Sequence, residues 1–241
     1  MNVLVVDVGG TSIKILATGQ DTPRAFHSGH KFTPEQMVAK VMRVAGEWKY
    51  DVVSIGYPGS VLDNYPVAEP RNVGRGWVGF DYGAAFGCPV KIINDAAMQA
   101  LGSYEGGRMF FLGLGTGLGS ALIVRGQVQP MELGHLSYKR GTYEGYMGLR
   151  GLERLGLKRW QQHVFACVNR LTTALQIDDV VIGGGNVHKL KDLPPRCRIG
   201  HNNNAFRGGF LMWEEAGDEH RATIIPRTSS ISRHRKQRGL E

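Results

Sequence analysis

Short apolar runs followed by glycine-rich turns dominate the pattern of hydrophobic and polar positions along this chain. The run Val3–Val8 lacks the polar alternation of a half-exposed strand, so it predicts a buried strand. Apolar residues with helical spacing follow Thr33-Pro34-Glu35-Gln36, which has the pattern of a capping box, and return over residues 158–175. Residues 57–81 form a long irregular stretch, which makes that loop a candidate for function. The chain therefore combines buried strands with amphipathic helices.

The first glycine turn follows the first strand. Gly9-Gly10 is expected to reverse the backbone with positive φ angles into a second strand over residues 12–18. Such a turn leaves backbone N–H groups and the hydroxyls of Thr11-Ser12 free to meet phosphate oxygens. Asp7, at the end of the first strand, could hold a magnesium ion through water, because this ion prefers hard oxygen ligands. Taken alone, the motif also fits an ordinary Gly-Gly hairpin.

Two more glycine turns follow along the chain. Residues 113–120 lie between apolar runs and predict a second strand–turn–strand unit. This segment lacks the Gly-Lys-Ser/Thr ending of a P-loop, and it enters a strand instead of the helix that a dinucleotide fingerprint requires. Gly183-Gly184-Gly185 follows a third strand and is expected to open a helix whose amide groups face a phosphate or nucleotide.

Five motifs in this order resemble the ROK sugar kinases of the actin-like ATPase superfamily, and most closely the polyphosphate glucokinases among them. The matching segments are residues 7–14, 93–96, 115–123, 132–136 and 183–185. The resemblance implies an α/β, two-lobed actin-like ATPase (ribonuclease H-like) fold with a cleft between the lobes. It divides the chain into an N-terminal lobe, a C-terminal lobe, a final helix that packs back on the first lobe, and a disordered basic tail, at residues 1–95, 96–203, 204–215 and 216–241.

The same resemblance implies roles for individual residues. Asp95 is the expected base that takes the proton from the sugar hydroxyl. Sugar contacts are implied for Gly59, Asn72, Asn94, Glu132, His135 and Glu144. Phosphate or nucleotide contacts are implied for Asp7, Gly9, Gly10, Thr11, Ser12, Lys14, Gly115, Thr116, Gly117, Gly183, Gly184 and Gly185, with Mg²⁺ held by Asp7 through water. A lone histidine would ordinarily be a core residue, and only the Glu-x-Gly-His spacing makes His135 a ligand candidate.

The expected metal is magnesium and not zinc. Many ROK proteins carry a cysteine-rich zinc loop between the Gly-His pair and the last glutamate. Here residues 136–143 alone separate His135 from Glu144, and none of them is cysteine. Polyphosphate glucokinases similarly lack this loop. The three cysteines, Cys88, Cys167 and Cys197, have no metal-type spacing and are expected to be idle thiols.

Composition adds limits on location and partners. With 241 residues, 42% of them hydrophobic, the chain can form one large domain or two small ones. Its apolar runs are too short to span a bilayer, and Met1-Asn2-Val3 has neither a basic region nor a cleavage site, so a cytoplasmic protein with no membrane partner is expected. A homodimer is the expected assembly. The basic tail has no aromatic residues interleaved with its charges, so no nucleic acid partner is expected.

The phosphoryl donor stays open between polyphosphate and ATP. A net charge of +8 favours a polyanion. Six cations crowd one stretch that is either a polyphosphate track or a solvated helix face: Lys139, Arg140, Arg150, Arg154, Lys158 and Arg159. The resemblance therefore implies a hexose kinase using polyphosphate, ATP or both, with the 6-hydroxyl of glucose as the expected acceptor. The alternatives are a kinase for another hexose or N-acetyl sugar, and a non-catalytic sugar-binding or regulatory protein.

Overall fold

Two five-stranded sheets organise the chain in a computed structural model that describes residues 1–201 and 203–214. The predicted basic tail, 216–241, lies outside the described residues, as does the predicted end of the last helix at residue 215. The strands are β1 (Val3–Val8), β2 (Ser12–Ala17), β3 (Arg24–His27), β4 (Val52–Tyr57), β5 (Val61–Leu62), β6 (Tyr65–Pro66), β7 (Val90–Asn94), β8 (Arg108–Leu114), β9 (Leu118–Val124), β10 (Gln127–Met131), β11 (Ser137–Tyr138), β12 (Gly141–Thr142), β13 (Asp179–Gly183) and β14 (Cys197–Ile199).

Helices cover both faces of these sheets, which confirms the predicted α/β class. None of the helices among residues 1–201 and 203–214 is long and apolar enough to cross a membrane. The helices are α1 (Pro34–Ala45), α2 (Tyr82–Phe86), α3 (Asp95–Ser103), α4 (Tyr143–Met147), α5 (Leu149–Leu175) and α6 (Asn204–Leu211), with short 3-10 turns at Leu133–His135 and Val187–Lys189.

The two sheets repeat one plan. The first has the order β3-β2-β1-β4-β7, and the second has the order β10-β9-β8-β13-β14. In each, three antiparallel strands lead into parallel strands: β1 and β8 are the strands where the direction of pairing changes. Each glycine hairpin, β1–β2 and β8–β9, therefore occupies the equivalent place in its own sheet. The predicted lobe limits, 1–95 and 96–203, stay a prediction.

Alternation along the strands builds a layered core. In β1, Val3 and Val5 pack on the side of α3 and α6, while Leu4 and Val6 pack on the side of α1. The layer of α3 and α6 also packs against β8 and β9 of the second sheet, whose other face is covered by α5. Since α3 lies between the two sheets, the residue at its start, Asp95, is placed where both glycine hairpins can reach it.

Glycines allow α3 and α6 to cross closely. A Cβ atom at Gly102 would overlap the carbonyl of Asn204, and one at Gly208 would overlap the carbonyl of Met98. Next to them, the Ser54 hydroxyl of β4 donates a hydrogen bond of 2.6 Å to the carbonyl of Gly209. The last helix is thereby fixed both to α3 and to the first sheet.

Local sequence signals gave mixed results for the helices. The capping box at Thr33 is confirmed, because its side chain accepts from the Gln36 amide and the Gln36 side chain accepts in return. The predicted helix over residues 158–175 begins earlier, at Leu149, and runs through a non-helical residue at Gly156. Trp77, in the loop that was a candidate for sugar contact, is fully buried and belongs to the core.

Candidate active site

The first glycine turn is tight for a reason that differs from the prediction. Neither Gly9 nor Gly10 has a positive φ angle, so the expected left-handed turn is wrong. A Cβ atom at Gly9 would instead lie 2.8 Å from the carbonyl oxygen of Ser12, and one at Gly10 would lie 2.6 Å from the Cβ of Asn72. Glycine is required here by close approach, and this approach brings the Asn72 loop against the turn.

Asp7 lies at the base of this turn, paired across the hairpin with Lys14. Burial raises the pKa of Asp7 to about 6, and the positive charge of Lys14 partly opposes that rise. Among residues 1–201 and 203–214, no group of three or more His, Cys, Asp or Glu side chains is arranged to hold a metal ion. A single carboxylate fits a magnesium ion that keeps most of its water and takes its other ligands from phosphate oxygens.

Asn94 and Asp95 join the end of β7 to the start of α3. The Asn94 side chain caps the helix, because its Oδ1 accepts from the Ala97 amide at 3.1 Å, while its Nδ2 donates to the Gly59 carbonyl at 3.1 Å. Asp95 follows as the first helical residue, and its Oδ1 accepts from the Ala96 amide at 2.7 Å. Asn94 and Gly59 therefore fix the backbone from which the carboxylate of Asp95 projects.

The electrostatic surroundings of Asp95 suit proton transfer near neutral pH. Burial raises the pKa of Asp95 to about 7, and the negative charges of Asp7 and Glu132 act in the same direction. The hydrogen bond from the Ala96 amide opposes this rise only in part. A carboxylate with such a pKa can take up a proton from a substrate and release it again at pH 7.

The second glycine turn packs beside Asp95. A Cβ atom at Gly119 would lie 2.8 Å from the Cβ of Ala96, so the β8–β9 hairpin touches the first turn of α3 directly. The amide of Gly115 donates to the carbonyl of Gly117 at 3.2 Å and closes the turn, with Thr116 exposed at its tip. The second hairpin thus lies against the residue that follows Asp95, while the charge of Asp7, at the base of the first hairpin, acts on Asp95.

Glu144 supports the second turn as well as facing the cleft. Its Oε2 accepts from the Leu118 amide at 3.3 Å, and a Cβ atom at Gly117 would lie 2.7 Å from that same oxygen. Its Oε1 lies 3.9 Å from Nη1 of Arg71. Glu144 therefore connects the second glycine turn with the loop of the first sheet that carries Arg71.

The third glycine turn supports the second and opens no helix. Gly184 has a φ of +86°, and a Cβ atom there would lie 2.6 Å from the backbone of Leu114. Asn186 then binds the second turn, since its amide donates to the Leu114 carbonyl at 2.9 Å and its side chain donates to the Gly115 carbonyl at 3.1 Å. The predicted helix after Gly185 is wrong, because only the 3-10 turn Val187–Lys189 follows.

Two side chains of the predicted sugar site, Glu132 and His135, lie close to each other. Nε2 of His135 lies 3.6 Å from Oε2 of Glu132, and both side chains are about half exposed. Burial raises the pKa of Glu132, while His135 and Arg71 lower it and Glu144 raises it further. Sequence reasoning missed Arg71, although it directly precedes Asn72 in the irregular loop that had been singled out.

Known proteins resemble this chain in sequence and in fold. No protein-family model matches the chain. A polyphosphate glucokinase from Mycobacterium tuberculosis is 28% identical over 204 residues, covering 75% of this chain and 76% of that protein. The inorganic polyphosphate/ATP-glucomannokinase from Arthrobacter sp. strain KM superposes with a TM-score of 0.74 at 23% identity, covering 87% of this chain and 97% of that one.

A second solved structure shows the same architecture with ligands bound. It is a ROK family glucokinase from Streptomyces griseus in complex with glucose and AMPPNP, which superposes with a TM-score of 0.64 at 17% identity and covers 93% of this chain and 94% of that one. The chain is therefore similar in sequence to polyphosphate glucokinases, and in fold it is similar to ROK-family sugar kinases, whose actin-like ATPase fold it shares.

Proposed function

We propose that this protein is a hexose kinase that transfers a phosphoryl group from polyphosphate or ATP to the 6-hydroxyl of glucose. The observation that carries the proposal is the position of Asp95, a partly buried carboxylate with a pKa of about 7 that starts α3 beside the second glycine hairpin and is influenced by the charge of Asp7 at the base of the first. The names of the relatives support a sugar as acceptor and either polyphosphate or a nucleotide as donor.

In the proposed reaction, Asp95 accepts the proton of the sugar hydroxyl while that oxygen attacks the terminal phosphorus. Phosphoryl transfer needs mainly in-line positioning and neutralisation of oxygen charge. The backbone amides and hydroxyls of the β1–β2 and β8–β9 turns would hold the transferred and leaving phosphates. Magnesium, when bound, would neutralise charge on the phosphate oxygens, and Asp7 is the residue that would hold it through water. A base in this position contributes roughly 100-fold to 10,000-fold in rate.

Acceptor binding is assigned to the polar groups at the mouth of the cleft. Glu132 and His135 lie within 3.6 Å of each other and can share the hydroxyls of one sugar ring. Asn72 is the neighbour of Arg71 in sequence, and its Cβ packs against Gly10 of the first turn. Arg71 offsets the repulsion between Glu132 and Glu144, which allows both carboxylates to face one small neutral ligand.

A coupled assay of sugar phosphate formation tests the proposal. Glucose, mannose, fructose and N-acetyl sugars are each offered with ATP and with polyphosphate, and the Asp95→Asn variant serves as the control. Glucose should be phosphorylated with at least one donor, and the variant should be roughly 100-fold slower or worse. Glucose binding without turnover on either donor would refute the kinase and favour the sugar-binding alternative. The expected homodimer stays a prediction.

A further inference from the structure

A cationic face lies beside the second glycine turn, where the β11–β12 hairpin meets α4 and α5. Three rings form its floor. The centroids of Tyr138 and Tyr146 are 5.1 Å apart, and the ring of His163 lies 5.6 Å from the first and 4.9 Å from the second, all in edge-to-face geometry. The hydroxyl of Tyr138 and Nδ1 of His163 are also joined by a hydrogen bond of 3.0 Å. The floor is therefore rigid.

Three exposed cations stand over this floor. The guanidinium of Arg154 lies 4.9 Å from the centre of the Tyr146 ring, and the charged groups of Lys139 and Arg170 each lie 5.7 Å from the centre of the Tyr138 ring. Within residues 1–201 and 203–214, no carboxylate lies within ion-pair distance of any of the three. Positive charge is thus concentrated and fixed by the rings, but it is not neutralised.

The pKa of His163 is also influenced by two of these cations. Burial lowers the pKa of His163, and the positive charges of Lys139 and Arg154 lower it further. Two cations from different elements, the β11–β12 hairpin and α5, therefore act on one ring. The three cations belong to a single local surface, which we call the tyrosine–cation face.

Hydrogen bonds fix this face to the second glycine turn. Arg154 donates to the carbonyl of Gly145 at 2.8 Å, and Gly145 adjoins Glu144, whose carboxylate accepts from the turn. The amide of Leu149, at the start of α5, donates to the carbonyls of Gly115 at 3.2 Å and Thr116 at 3.3 Å. These hydrogen bonds hold the face in a fixed position relative to the second glycine turn. A polyanion whose end is bound at the turn can therefore continue onto the face.

We propose that the tyrosine–cation face, formed by Lys139, Arg154 and Arg170 over the floor of Tyr138, Tyr146 and His163, binds the distal part of a linear inorganic polyphosphate whose reacting end lies at the second glycine turn. This inference rests on the proposed kinase function. A nucleoside triphosphate ends after three phosphates and would leave most of the face empty. The rings pack against one another and lie under cations, so they offer no open surface on which nucleic acid bases could stack.

Binding of long-chain polyphosphate is measured first, apart from catalysis. The full chain carrying Asp95→Asn is titrated with fluorescent polyphosphate, without sugar or ATP. The test variant adds Lys139→Gln, Arg154→Gln and Arg170→Gln. Its matched control adds Arg233→Gln, Arg235→Gln and Lys236→Gln, which remove the same charge from the basic tail. We expect the face variant to bind polyphosphate about 10-fold more weakly or worse. The slope of its log affinity against log salt concentration should fall by an amount that corresponds to about two to three lost charge contacts. The affinity of the tail control should change less than about threefold.

Kinetics and competition separate the possible outcomes. For kinetics, the same three face substitutions are made in the active protein, which keeps Asp95. There they should raise the KM for polyphosphate more than the KM for ATP. If polyphosphate binding depends on the face but the protein phosphorylates no sugar, the proposed binding site would be supported and the proposed kinase function would be refuted. If the affinity for polyphosphate falls equally in the face and tail variants, or falls in neither, the face would not be the binding site, even if the protein is an active kinase. Competition by RNA of equal charge as strong as that by polyphosphate would also overturn it. Circular dichroism and the single variants Lys139→Gln and Arg170→Gln, which break no backbone hydrogen bond, control for folding.

Discussion

Replacing Asp95 by asparagine should make the folded protein more stable at pH 8 while it stops turnover. The substitution changes one oxygen to an amide group, and the remaining carbonyl oxygen can still accept from the Ala96 amide at the start of α3. It removes a partly buried negative charge that is repelled by the charges of Asp7 and Glu132. A carboxylate held among other negative charges lowers the free energy of unfolding. Removal of the Asp95 charge should therefore raise that free energy.

The size of the gain follows from the pKa of Asp95, which rises from 3.8 to about 7 on folding. Each unit corresponds to about 1.4 kcal/mol, so the shift of about three units gives an upper limit of about 4 kcal/mol at high pH. Water at the mouth of the cleft screens part of this charge, and we expect a measured gain of about 2 kcal/mol.

The sign of the pH dependence is fixed by the direction of the shift. Because the pKa of Asp95 is higher in the folded state, both states hold the proton well below pH 4, and the carboxyl costs nothing there. The cost grows as the pH rises through 3.8 towards about 7, and it is nearly complete above that value. The advantage of the asparagine variant should therefore be small at pH 4.5 and complete at pH 8.

Urea denaturation at pH 4.5 and pH 8, without sugar, donor or magnesium, measures the effect. Asp63→Asn is the matched control, because Asp63 is exposed and has a φ of 47°, which asparagine tolerates. Its free energy of unfolding should change by less than about 0.5 kcal/mol at either pH. A wild-type protein as stable as the Asp95 variant at pH 8, or an equal gain at both pH values, would refute this account of the site.

Four further predictions concern the site. The kcat/KM of the wild type should fall as pH drops below about 7, because Asp95 then holds the proton it must accept; a profile that is flat from pH 5 to 8 would exclude it as the base. Glu132→Gln and His135→Ala should each weaken glucose binding by about 10-fold in calorimetry, and unchanged affinity in both would dismiss the sugar site. Arg71→Ala should raise the KM for sugar several-fold, with partial recovery in Arg71→Lys; no change would make Arg71 a surface residue. Metal analysis should find no stoichiometric zinc, and activity should require magnesium, so one tightly held zinc per chain would contradict the site chemistry.

Features that depend on neighbouring residues in the sequence were predictable. The capping box at Thr33 and the strands on either side of the first two glycine turns follow from short-range patterns, and the structure has them. The fold and the role of Asp95 as the base were implied only by the resemblance to the ROK sugar kinases. The structure adds that the plan of three antiparallel strands followed by parallel ones occurs in both sheets.

Features that depend on distant contacts were not predictable. Gly10 is glycine because Asn72 packs against it, and no local pattern shows that approach. Helix α5 starts at Leu149 because its amide binds the carbonyls of the second glycine turn, although the helical pattern is clear only later. Gly184 turns the chain onto Leu114, and so the third glycine run does not open a helix. In each case tertiary packing decided what local preference left open.

The close crossing of α3 and α6 has a consequence for how the protein is made. The hydrogen bond between Ser54 and Gly209 joins residues 155 positions apart, and Gly209 also packs on Val5 of the first strand. A ribosome must therefore release almost the whole described chain before the helix that begins with Asp95 can be enclosed. Until then, the apolar faces of β1 and α3 lack their last cover and are open to chaperones or to other nascent chains. Chains that stop before α6 should accumulate as aggregates or be degraded, because one face of their first sheet stays partly uncovered.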